Sequence, residues 1–584
     1  MCGIAGMMMR EGLKPSVIQL EIMSSALEHR GPDSEGKVLF DNVGLAHRRL
    51  SIIDLETGQQ PMCDNGENYL IGNAEIYNYR EIISEMNNVK LKSKSDCEPP
   101  LHLYARYGLD FVNRLRGMYA FAIYDKQRAR LVLARDPFGI KPLYFVEDSE
   151  GFFFASELQA LLKAGCAERR ISKVLVSRLL NKQFVPGVET IFPKVKRVSP
   201  GEIIVVEKGK IVERRQNHAL PTSPILVSSL SELERDLDRE LAESIEFHQR
   251  SDVPYGLFFS GGIDSACILA EMVRRKDHPV ITYTAGFDAS SVTDETKHAR
   301  NISESVGASY SEVRITCDDF WRELPNIAAA LDDPCADYAI VPTYILARHA
   351  AKDVKVVLSG EGGDELFGGY GRYRRELRPR WLGGRGSPKS FFNRLGVLIE
   401  GVDFSFSEEF NEGPFSTNLQ RIQARDFANW LPNDLLLKLD RCLMAHGLEG
   451  RTPFLDPVLA DFAFRLPDEA KLQRGLGKWL LRKWLSRRLP RAGAFSKKKG
   501  FTVPVREWMA AGGNNLGELV AAQPGVKEIC RPGTIVPLFK NPGKRAGQAA
   551  WILLFFALWH RKHVLNLSPD GGDVFECLSS SALS

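Results

Sequence analysis

The chain has 584 residues, of which 44% are hydrophobic and 26% are charged, and its formal net charge is +4. This length exceeds what one ordinary hydrophobic core can organise, so we expect at least two domains. The near-balance of charge gives no sign of the concentrated basic face that binds nucleic acid. We therefore expect no nucleic-acid partner.

The cysteines and the apolar segments predict where the protein is found. The ten cysteines include no CxxC pair and no Cys/His cluster at zinc spacing, which is typical of free thiols in a reducing compartment. The N-terminal sequence MCGIAGMMMR lacks the basic stretch and apolar run of a signal peptide. The apolar run at residues 549–559 is too short to span a bilayer and predicts a buried helix. We expect a cytoplasmic protein without a membrane partner.

Short β-type runs separated by Gly, Pro and Asn fill the first third, at residues 37–46, 119–124, 130–134, 151–155 and 202–206. Short strands with turn residues between them predict a layered α+β sandwich. Residues 216–230 contain two prolines and several serines and predict a linker. The linker would separate a domain of residues 2–215 from a domain of residues 231–584.

The pattern changes after this linker. Residues 231–249 predict a charged amphipathic helix, with Leu233, Leu237, Leu241 and Ile245 at helical spacing. Apolar runs at 255–259, 280–287 and 354–359 then alternate with helical segments. This alternation predicts a parallel α/β sheet that binds ligands at the carboxyl ends of its strands. From about residue 400 the pattern is mostly helical.

Cys2 directly follows the initiator methionine, whose removal would give Cys2 a free α-amino group. A thiol has a reference pKa of about 8.5 and an α-amine one of about 7.7–8, so the amine can take the thiol proton near neutral pH. Activation of a nucleophile by the N-terminal amine is an established mode of covalent catalysis. Taken alone, however, a single cysteine at position 2 is weak evidence for such a role.

Six motifs occur in order along the first third: MCGIAG, HRGPDSEG (29–36), HRRLSIID (47–54), GNAEIYNY (72–79), SDCE (95–98) and ARDPFGIKPLY (134–144). Together they resemble the glutaminase domain of class II, N-terminal-nucleophile amidotransferases. The resemblance implies that layered sheets with helices form this domain. It also implies that Cys2 attacks the side-chain amide of glutamine and releases ammonia.

The resemblance assigns roles that the chemistry of glutamine explains. A forked guanidinium suits the α-carboxylate, and the matched residue is Arg49. The α-ammonium group needs acceptors, and the matched positions are Glu75 and Asp96. In the family an Asn side chain and the next backbone N–H form the oxyanion hole. The implied glutamine-binding set is Arg49, Leu50, Ile53, Asn73, Ala74, Glu75 and Asp96.

Ala74 departs from the family pattern, which usually has glycine there. The backbone N–H survives the change, but a methyl group can crowd the glutamine or meet a backbone conformation that alanine tolerates poorly. Either effect would slow the glutaminase. Loss of one oxyanion donor, which costs about 100- to 1,000-fold in rate, sets the scale.

The sequence FFSGGIDS at 258–265 follows an apolar strand and opens a helix, so its backbone N–H groups can approach phosphate oxygens. It differs from the GxxxxGK[ST] loop. It resembles the SGGxDS pyrophosphate loop of enzymes that split ATP between its α and β phosphates. By resemblance the nucleotide contacts are Phe258, Ser260, Gly261, Gly262, Asp264, Ser265, Ala285, Ser359 and Gly360.

A second glycine-rich loop, SGEGGDELFGGY at 359–370, also follows an apolar strand. Mg²⁺ prefers carboxylates together with phosphate oxygens. Asp264 and Asp364 would lie at adjacent strand ends, where both can reach one Mg²⁺–pyrophosphate. The predicted cofactors are therefore ATP, as a substrate, and Mg²⁺.

Five further motifs match the synthetase domain of asparagine synthetases: DDPCADYAIVPTY (332–344), KLDRCLMAHGLEGRTPFLD (438–456), GKWLLR (477–482), KKKGFTVP (497–504) and AAWILLFFALWHR (549–561). The resemblance thus covers nearly the whole chain. It implies a parallel-sheet α/β ATP pyrophosphatase domain with a helical C-terminal part and, by analogy, a homodimer. Two mild departures are Asp333, where the family commonly has Glu, and Ala266, where a second Ser often follows SGGxDS.

The resemblance implies a synthesis in two steps. The β-carboxylate of aspartate attacks the α-phosphate of ATP and expels pyrophosphate, and ammonia then attacks the resulting adenylate to give asparagine and AMP. The matched lysine, Lys478, would offset negative charge in the phosphorus transition state. The matched base, Glu361, would take a proton from the attacking nitrogen. Because bulk water would protonate ammonia, we expect a shielded path between the two sites.

Two other functions stay open. One is an amide ligase of the same family acting on a different carboxylate, because the adenylation motifs are shared and the substrate pocket is not legible in the sequence. Retention of the glutamine-site residues favours ammonia transfer over the use of an internal amine. The other is a glutaminase-only nitrogen sensor, against which the retained adenylation residues argue.

Overall fold

The computed structural model describes residues 2–86, 89–274, 279–289, 292, 295–379, 381, 390–392, 395–400, 402, 414–496, 502–540 and 543–580. Strands between residues 3 and 216 form antiparallel sheets, and strands between 255 and 451 form a parallel sheet. Residues 217–229, all described, contain neither helix nor strand. The division into domains at 215 and 231 stays a prediction. The first five residues of the KKKGFTVP motif lie outside the described residues.

The first part of the chain carries β1 to β12 and α1 to α5. The strands are β1 Gly3–Met9, β2 Ser34–Leu39, β3 Val43–Arg49, β4 Met62–Cys63, β5 Asn68–Ile76, β6 Gly117–Asp125, β7 Arg130–Arg135, β8 Tyr144–Glu147, β9 Gly151–Ala155, β10 Lys196–Arg197, β11 Glu202–Glu207 and β12 Lys210–Gln216. The helices are α1 Val17–Ala26, α2 Tyr79–Glu85, α3 Glu98–Tyr107, α4 Leu158–Lys163 and α5 Lys173–Lys182.

These strands form two sheets that face each other. One has the order β10-β8-β9-β1-β3-β2 and the other β12-β11-β7-β6-β5-β4. Their facing sides share a buried core that includes Ile4, Leu45, Ile71, Leu133 and Phe152. Helices α1 and α4 cover the outer side of the first sheet, and α3 covers that of the second. Because both faces are covered, β1, β6 and β9 are buried along their whole length. The predicted layered α+β sandwich is confirmed.

The strand expected at residues 37–46 is wrong in its extent. The structure has two strands there, β2 and β3, which pair as a hairpin across residues 40–42. Phe40 N donates to Val43 O at 2.8 Å and closes the turn. The turn contains Asp41 and Asn42, whose short polar side chains favour turns over strands.

The second part of the chain carries β13 to β17 and α6 to α22. The strands are β13 Tyr255–Phe258, β14 Ile281–Phe287, β15 Ser309–Ile315, β16 Val356–Leu358 and β17 Glu449–Arg451. The helices are α6 Leu230–His248, α7 Ile263–Arg274, α8 Thr296–Ser305, α9 Cys317–Ala330, α10 Ile340–Ala350, α11 Gly363–Leu366, α12 Gly371–Glu376, α13 Asn418–Arg425, α14 Leu436–Met444, α15 Pro457–Phe464, α16 Asp468–Lys471, α17 Trp479–Arg488, α18 Val505–Ala522, α19 Pro524–Lys527, α20 Val536–Phe539, α21 Lys544–His563 and α22 Val574–Ser579.

The parallel sheet has the order β15-β14-β13-β16-β17. Helices α6, α7, α15 and α17 pack in one core beside it, and α9, α10, α14 and α21 pack in another. The three strands expected from their apolar runs are confirmed as β13, β14 and β16. The sequence interpretation missed two others. The edge strand β15, SYSEVRI, is largely polar, and β17, with the sequence EGR, has no apolar side chain and is buried by its neighbours.

The helices expected at 231–249 and over the apolar run 549–559 are both present, as is α7, which the FFSGGIDS sequence was expected to open. Helix α6 begins with a capping box between Ser229 and Glu232, and its predicted apolar positions are buried. The run at 549–559 lies inside α21 and is buried along its length. None of the helices within the described residues has both the length and the apolar character needed to cross a membrane.

Buried ion pairs connect the two parts of the chain. They are Arg30–Asp440, Arg197–Asp333, Arg116–Asp456 and Arg451–Glu75. Removing one partner of such a pair leaves an uncompensated buried charge and costs about 3–5 kcal/mol. Each pair therefore helps to fix how the two parts of the chain meet.

Candidate active sites

Cys2 immediately precedes β1, which pairs with β3 on one side and β9 on the other. It is buried, and its backbone nitrogen donates to Asn73 Oδ1 at 3.0 Å. Its carbonyl oxygen accepts a hydrogen bond from Arg30 Nε at 3.1 Å. The nitrogen that methionine removal would expose therefore already faces an acceptor, and the backbone of the nucleophile is held from both sides.

Burial raises the pKa of the Cys2 thiol. A hydrogen bond from the Leu50 backbone N–H and the positive charge of Arg49 act in the opposite direction, while Glu75 adds to the rise. The thiolate is the nucleophilic form of cysteine. The resting thiol therefore needs a base, which agrees with the chemistry expected of an adjacent α-amine.

Asn73 and Ala74 lie side by side in β5, opposite Ala120 and Tyr119 of β6. Because Asn73 Oδ1 faces the Cys2 nitrogen, its amide nitrogen faces elsewhere. That nitrogen, Nδ2, is buried and has no hydrogen-bond partner among the described residues. A buried unpaired donor beside the nucleophile is suited to an oxyanion.

The edge of β5 also presents the Ala74 backbone N–H. Gly72 N donates to Gln60 Oε1 at 2.6 Å, and Ile76 N donates to Asp96 Oδ2 at 2.7 Å. Since N–H groups alternate in direction along a strand, Ala74 N points to this same edge. Ala74 has ordinary extended backbone rather than a positive φ. The concern that alanine meets an unfavourable backbone here is therefore not borne out.

Arg49 ends β3 and is buried. Its Nη2 donates to Ile53 O at 3.2 Å and to Asp54 O, whereas its Nη1 is buried and has no partner among the described residues. A Cβ at Gly58 would lie 2.2 Å from Nη2, so only glycine allows this close approach. The guanidinium is thus clamped by one nitrogen and offers the other to a carboxylate.

Glu75 and Asp96, the expected ammonium acceptors, are both buried. Burial raises the pKa of Asp96 to about 6, although the hydrogen bond from Ile76 N acts to lower it. Burial also raises the pKa of Glu75 well above its usual value, and Arg451 opposes that rise. Glu75 Oε2 accepts a hydrogen bond from Arg451 Nη2 at 2.7 Å. One oxygen of Glu75 is therefore committed to the second part of the chain.

The sequence interpretation missed three residues that support this site. Arg30, which contacts the Cys2 carbonyl, is bidentate to Asp440 at 2.8 and 2.9 Å. Arg451 holds Glu75. Arg30 stands in HRGPDSEG, and Asp440 and Arg451 stand in KLDRCLMAHGLEGRTPFLD. The motifs therefore marked them, but their pairing across about two thirds of the chain was not visible.

The loop 259–262 joins β13 to α7 at the carboxyl end of the parallel sheet. Gly261 has a φ of +71°, a conformation that glycine adopts without strain. The Ser260 hydroxyl accepts from Gly262 N at 3.2 Å, and Ser265 Oγ donates to Gly262 O at 3.2 Å. Ser260 and Gly262 are exposed. The loop is therefore ordered by its own hydrogen bonds and open to a ligand, and α7 directs its positive end toward it.

The other predicted nucleotide contacts surround this loop. Phe258 ends β13, and Ala285 lies near the end of the adjacent β14. Ser359 and Gly360 follow β16 on the other side of β13. A Cβ at Gly360 would lie 2.9 Å from the Asp264 Cβ, so the two loops touch. The structure thus brings the predicted set to three neighbouring strand ends.

Asp264 and Asp364 converge on Lys478. Lys478 Nζ contacts Asp264 Oδ2 and lies 2.7 Å from Asp364 Oδ1. Burial alone would lower the pKa of Lys478, but these two carboxylates raise it above its usual value. Lys478 also has a φ of +57°, an uncommon conformation for a residue with a side chain. The strained lysine therefore places a cation between the two predicted metal ligands.

The carboxylates fit Mg²⁺ in part. They already converge on one cationic position, that of the Lys478 ammonium group. Within the described ranges, no group of three or more His, Cys, Asp or Glu side chains could hold a metal by itself. A Mg²⁺ ion here would therefore depend on phosphate oxygens for its remaining ligands, which is usual for nucleotide sites.

Glu361 follows Gly360 and is partly exposed. Burial raises the pKa of its carboxyl, and Lys438 acts in the opposite direction. Lys438 is itself held by Asp337 at 2.7 Å. The same loop contains Glu365, which sequence reasoning did not single out, and burial raises its pKa to about 8. The loop therefore carries two carboxyl groups with raised pKa values, and that of Glu361 is the partly exposed one beside the predicted phosphate site.

The two departures in the synthetase motifs have different settings. Asp333 is buried and bidentate to Arg197, with both oxygens at 2.7 Å, so it joins the two parts of the chain. Ala266 is fully buried in α7 and packs in the hydrophobic core. Neither side chain lies among the exposed residues of the nucleotide loop.

Two family models match the chain. The model described as asparagine synthase matches residues 236–561, and the model described as a glutamine amidotransferase domain matches residues 1–217. The gap between the two matches, residues 218–235, contains most of the segment without helix or strand and the start of α6. Each site described above therefore lies within one matched region, except that Arg451 and Asp440 reach the first site from the second region.

Full-length relatives agree with both matches. The chain is 32% identical to the glutamine-hydrolyzing asparagine synthetase 1 of Bacillus subtilis, over 96% of each chain. It is 32% identical to a putative glutamine-hydrolyzing asparagine synthetase of Mycobacterium bovis, over 92% of each chain. A solved structure titled as the allosteric regulatory enzyme of purine biosynthesis is 15% identical, with a TM-score of 0.29, and covers 54% of this chain and 80% of its own. That last likeness is too low to carry an argument.

Proposed function

Because the chain belongs to the family of glutamine-hydrolysing asparagine synthetases, we propose that it makes asparagine from aspartate, with glutamine as nitrogen donor and ATP as energy source. One observation carries the proposal. Two residues that interact with Cys2 each keep a buried donor without a partner among the described residues, Asn73 Nδ2 and Arg49 Nη1. These donors suit the two anionic groups of a reacting glutamine, its oxyanion and its α-carboxylate.

In the first reaction, glutamine binds with its α-carboxylate on Arg49 and its α-ammonium group between Glu75 and Asp96. The α-amine of Cys2 takes the thiol proton, and the thiolate attacks the side-chain amide carbon. Asn73 Nδ2 and the Ala74 N–H stabilise the oxyanion. Collapse of the intermediate releases ammonia and leaves a thioester, which water hydrolyses to glutamate.

In the second reaction, the loop after β13 binds the phosphates of ATP. The β-carboxylate of aspartate attacks the α-phosphorus, the bond to the β-phosphate breaks, and pyrophosphate leaves. Lys478 is placed to exchange its carboxylate partners for phosphate oxygens as negative charge gathers there. Asp264 and Asp364 would hold Mg²⁺, which when bound neutralises charge on the pyrophosphate.

Amide formation completes the sequence. Ammonia attacks the carbonyl of the β-aspartyl-adenylate, the attacking nitrogen loses a proton, and AMP leaves. Glu361 is the proposed proton acceptor, because its raised pKa makes it a better base near neutral pH than an ordinary carboxylate.

A cytoplasmic location is part of the proposal. Its support is that all ten cysteines are free thiols, as expected in a reducing compartment. Homodimer formation stays a prediction by analogy with the family.

A steady-state assay with aspartate, glutamine and MgATP tests the function. We expect asparagine, AMP and pyrophosphate in equal amounts, with at least one glutamate for each asparagine. Ammonium chloride in place of glutamine should give the same products without glutamate. Glutamate release with no AMP from any carboxylate would contradict the proposal, and AMP formed with a different carboxylate but not with aspartate would favour an amide ligase of other specificity.

A further inference from the structure

Arg451 ends β17 and is fully buried. Its Nε donates to Glu449 Oε1 at 2.6 Å, and its Nη1 donates to the carbonyl oxygens of His248 and Arg250 at 2.8 and 2.6 Å. Its Nη2 donates to Glu75 Oε2 at 2.7 Å. Three contacts within the second part of the chain thus fix the guanidinium, and the fourth contact reaches Glu75 in the first part.

The contact with Arg451 favours the charged form of Glu75. Glu75 lies in β5 directly after Ala74 and is buried. A buried carboxylate without a cation is costly, so it takes up a proton instead. Burial and the negative charge of Glu449 raise the pKa of Glu75, and Arg451 acts against the rise in the pKa of both Glu75 and Asp96. The same guanidinium therefore favours the charged form of both expected ammonium acceptors.

The backbone of Arg451 belongs to the other site. β17 pairs in parallel with β16, and Ser359 N donates to Arg451 O at 2.8 Å at the start of the loop that carries Glu361 and Asp364. The backbone thus supports the adenylation loop while the side chain supports the glutamine site. Changes confined to the side chain can therefore separate the two effects.

We propose that Arg451, a residue of the synthetase part, is a positioning residue for glutamine: it holds the carboxyl of Glu75 in place for the α-ammonium group of the substrate. The proposal rests on the function proposed above and adds that the glutamine site is completed across the junction between the two parts. Arg451 itself does not contact glutamine.

Arg451→Met and Arg451→Lys test this proposal through glutamate release, measured without aspartate or ATP. Loss of a hydrogen bond to a charged group should raise the KM for glutamine about 10- to 100-fold in the Met variant. The Arg451→Lys side chain keeps the positive charge but loses the forked guanidinium. The KM of this variant for glutamine should therefore lie between those of the wild type and the Met variant. The kcat and the KM for ATP in the ammonia-dependent reaction should stay near wild type.

Arg197→Lys is the matched control. Arg197 is also buried and also joins the two parts, through its bidentate contact with Asp333. It should leave the KM for glutamine unchanged. In a Glu75→Gln background, Arg451→Met should raise the KM for glutamine by a smaller factor than Arg451→Met does in the wild type. The two residues act through one contact, so their effects should not add.

An unchanged KM for glutamine in Arg451→Met would overturn the proposal, as would a parallel fall of the glutamine- and ammonia-dependent activities. Failure of both Arg451 variants to fold would mean that the residue serves stability, and would also overturn it. Because glutamate release does not depend on the second substrate, a wild type that makes no asparagine would refute the proposed function while leaving this test intact.

Discussion

The amide nitrogen of Asn73 and the Nη1 of Arg49 are donors that the rest of the described protein does not use. A buried donor without a partner costs about 1–3 kcal/mol. Such a group needs a reason, and a ligand that supplies the missing acceptor is one. An oxyanion at Asn73 and a carboxylate at Arg49 account for both groups, while Ala74 N points to the edge where that oxyanion would form.

Asp96 gives the glutamine site a dependence on pH. Because burial raises its pKa to about 6, Asp96 takes up a proton as the pH falls through that value and loses its capacity to accept from an ammonium group. We expect kcat/KM for glutamate release to fall about tenfold per pH unit below pH 6. The measurement is a profile from pH 5 to 8, with activity rechecked at pH 7.5 after exposure to pH 5.

Asp96→Asn is the control for that profile. It should be slow at every pH and should lose the part of the acidic limb that comes from Asp96, because asparagine does not titrate. A wild-type profile that is flat between pH 5 and 7 would contradict the prediction. An Asp96→Asn profile that keeps the whole acidic limb would mean that a group other than Asp96 causes it.

At the scale of elements, each site is built where strands end or lie open. β5 is paired with β4 only at residues 69 and 70, so no strand covers the edge at Ala74, which lies between the side-chain contacts at Gly72 and Ile76. The adenylation site uses the carboxyl ends of β14, β13 and β16, the usual place for ligands in such sheets. The loop after β16 leaves no room for a side chain at Gly369: a Cβ there would lie 1.8 Å from Asp364 Oδ1 and 2.2 Å from Lys478 Cε.

Gly369→Ala should therefore displace Asp364 and Lys478 together. We expect ammonia-dependent AMP formation to fall about 100-fold, the scale of a lost transition-state contact. Glutamate release should stay within a factor of about two, as for a change remote from that site. Parallel assays of the two activities on one preparation check this.

The matched control stands two residues away, at the first residue of α12. A Cβ at Gly371 would meet Arg374 Nη2 at 3.7 Å, which is ordinary contact, so Gly371→Ala should keep both activities. An equal loss of AMP formation in both variants would contradict this explanation. It would show that alanine is harmful in this segment for reasons unrelated to Asp364 and Lys478.

The elements that could be predicted from the sequence are those whose signals come from residues close together in the chain. The loops SGGIDS and SGEGGDELFGGY and helices α6 and α21 were recognisable because glycine placement, caps and periodicity are local. The strands β15 and β17 were missed because their sequences lack an apolar run, and pairing with neighbours stabilises them instead.

At the scale of the whole molecule, the two sites meet through buried charges. Arg451 is 376 residues from Glu75, and Asp440 is 410 residues from Arg30. No local pattern indicates which partner each arginine takes, so sequence reasoning found the two sites but not their connection. The contacts run from the Cys2 nitrogen to Asn73 of β5, along β5 to Glu75, and from Glu75 through Arg451 to Ser359 at the start of the adenylation loop.

The central claim is that ammonia made at Cys2 is used at a second, separate site. Cys2→Ala tests it most directly, with asparagine formation measured from glutamine and from ammonium chloride on the same preparation. We expect glutamine-dependent synthesis to fall at least about 1,000-fold, as for other removed nucleophiles, and ammonia-dependent synthesis to be retained. Equal loss of both activities, or survival of the glutamine-dependent one, would contradict the account.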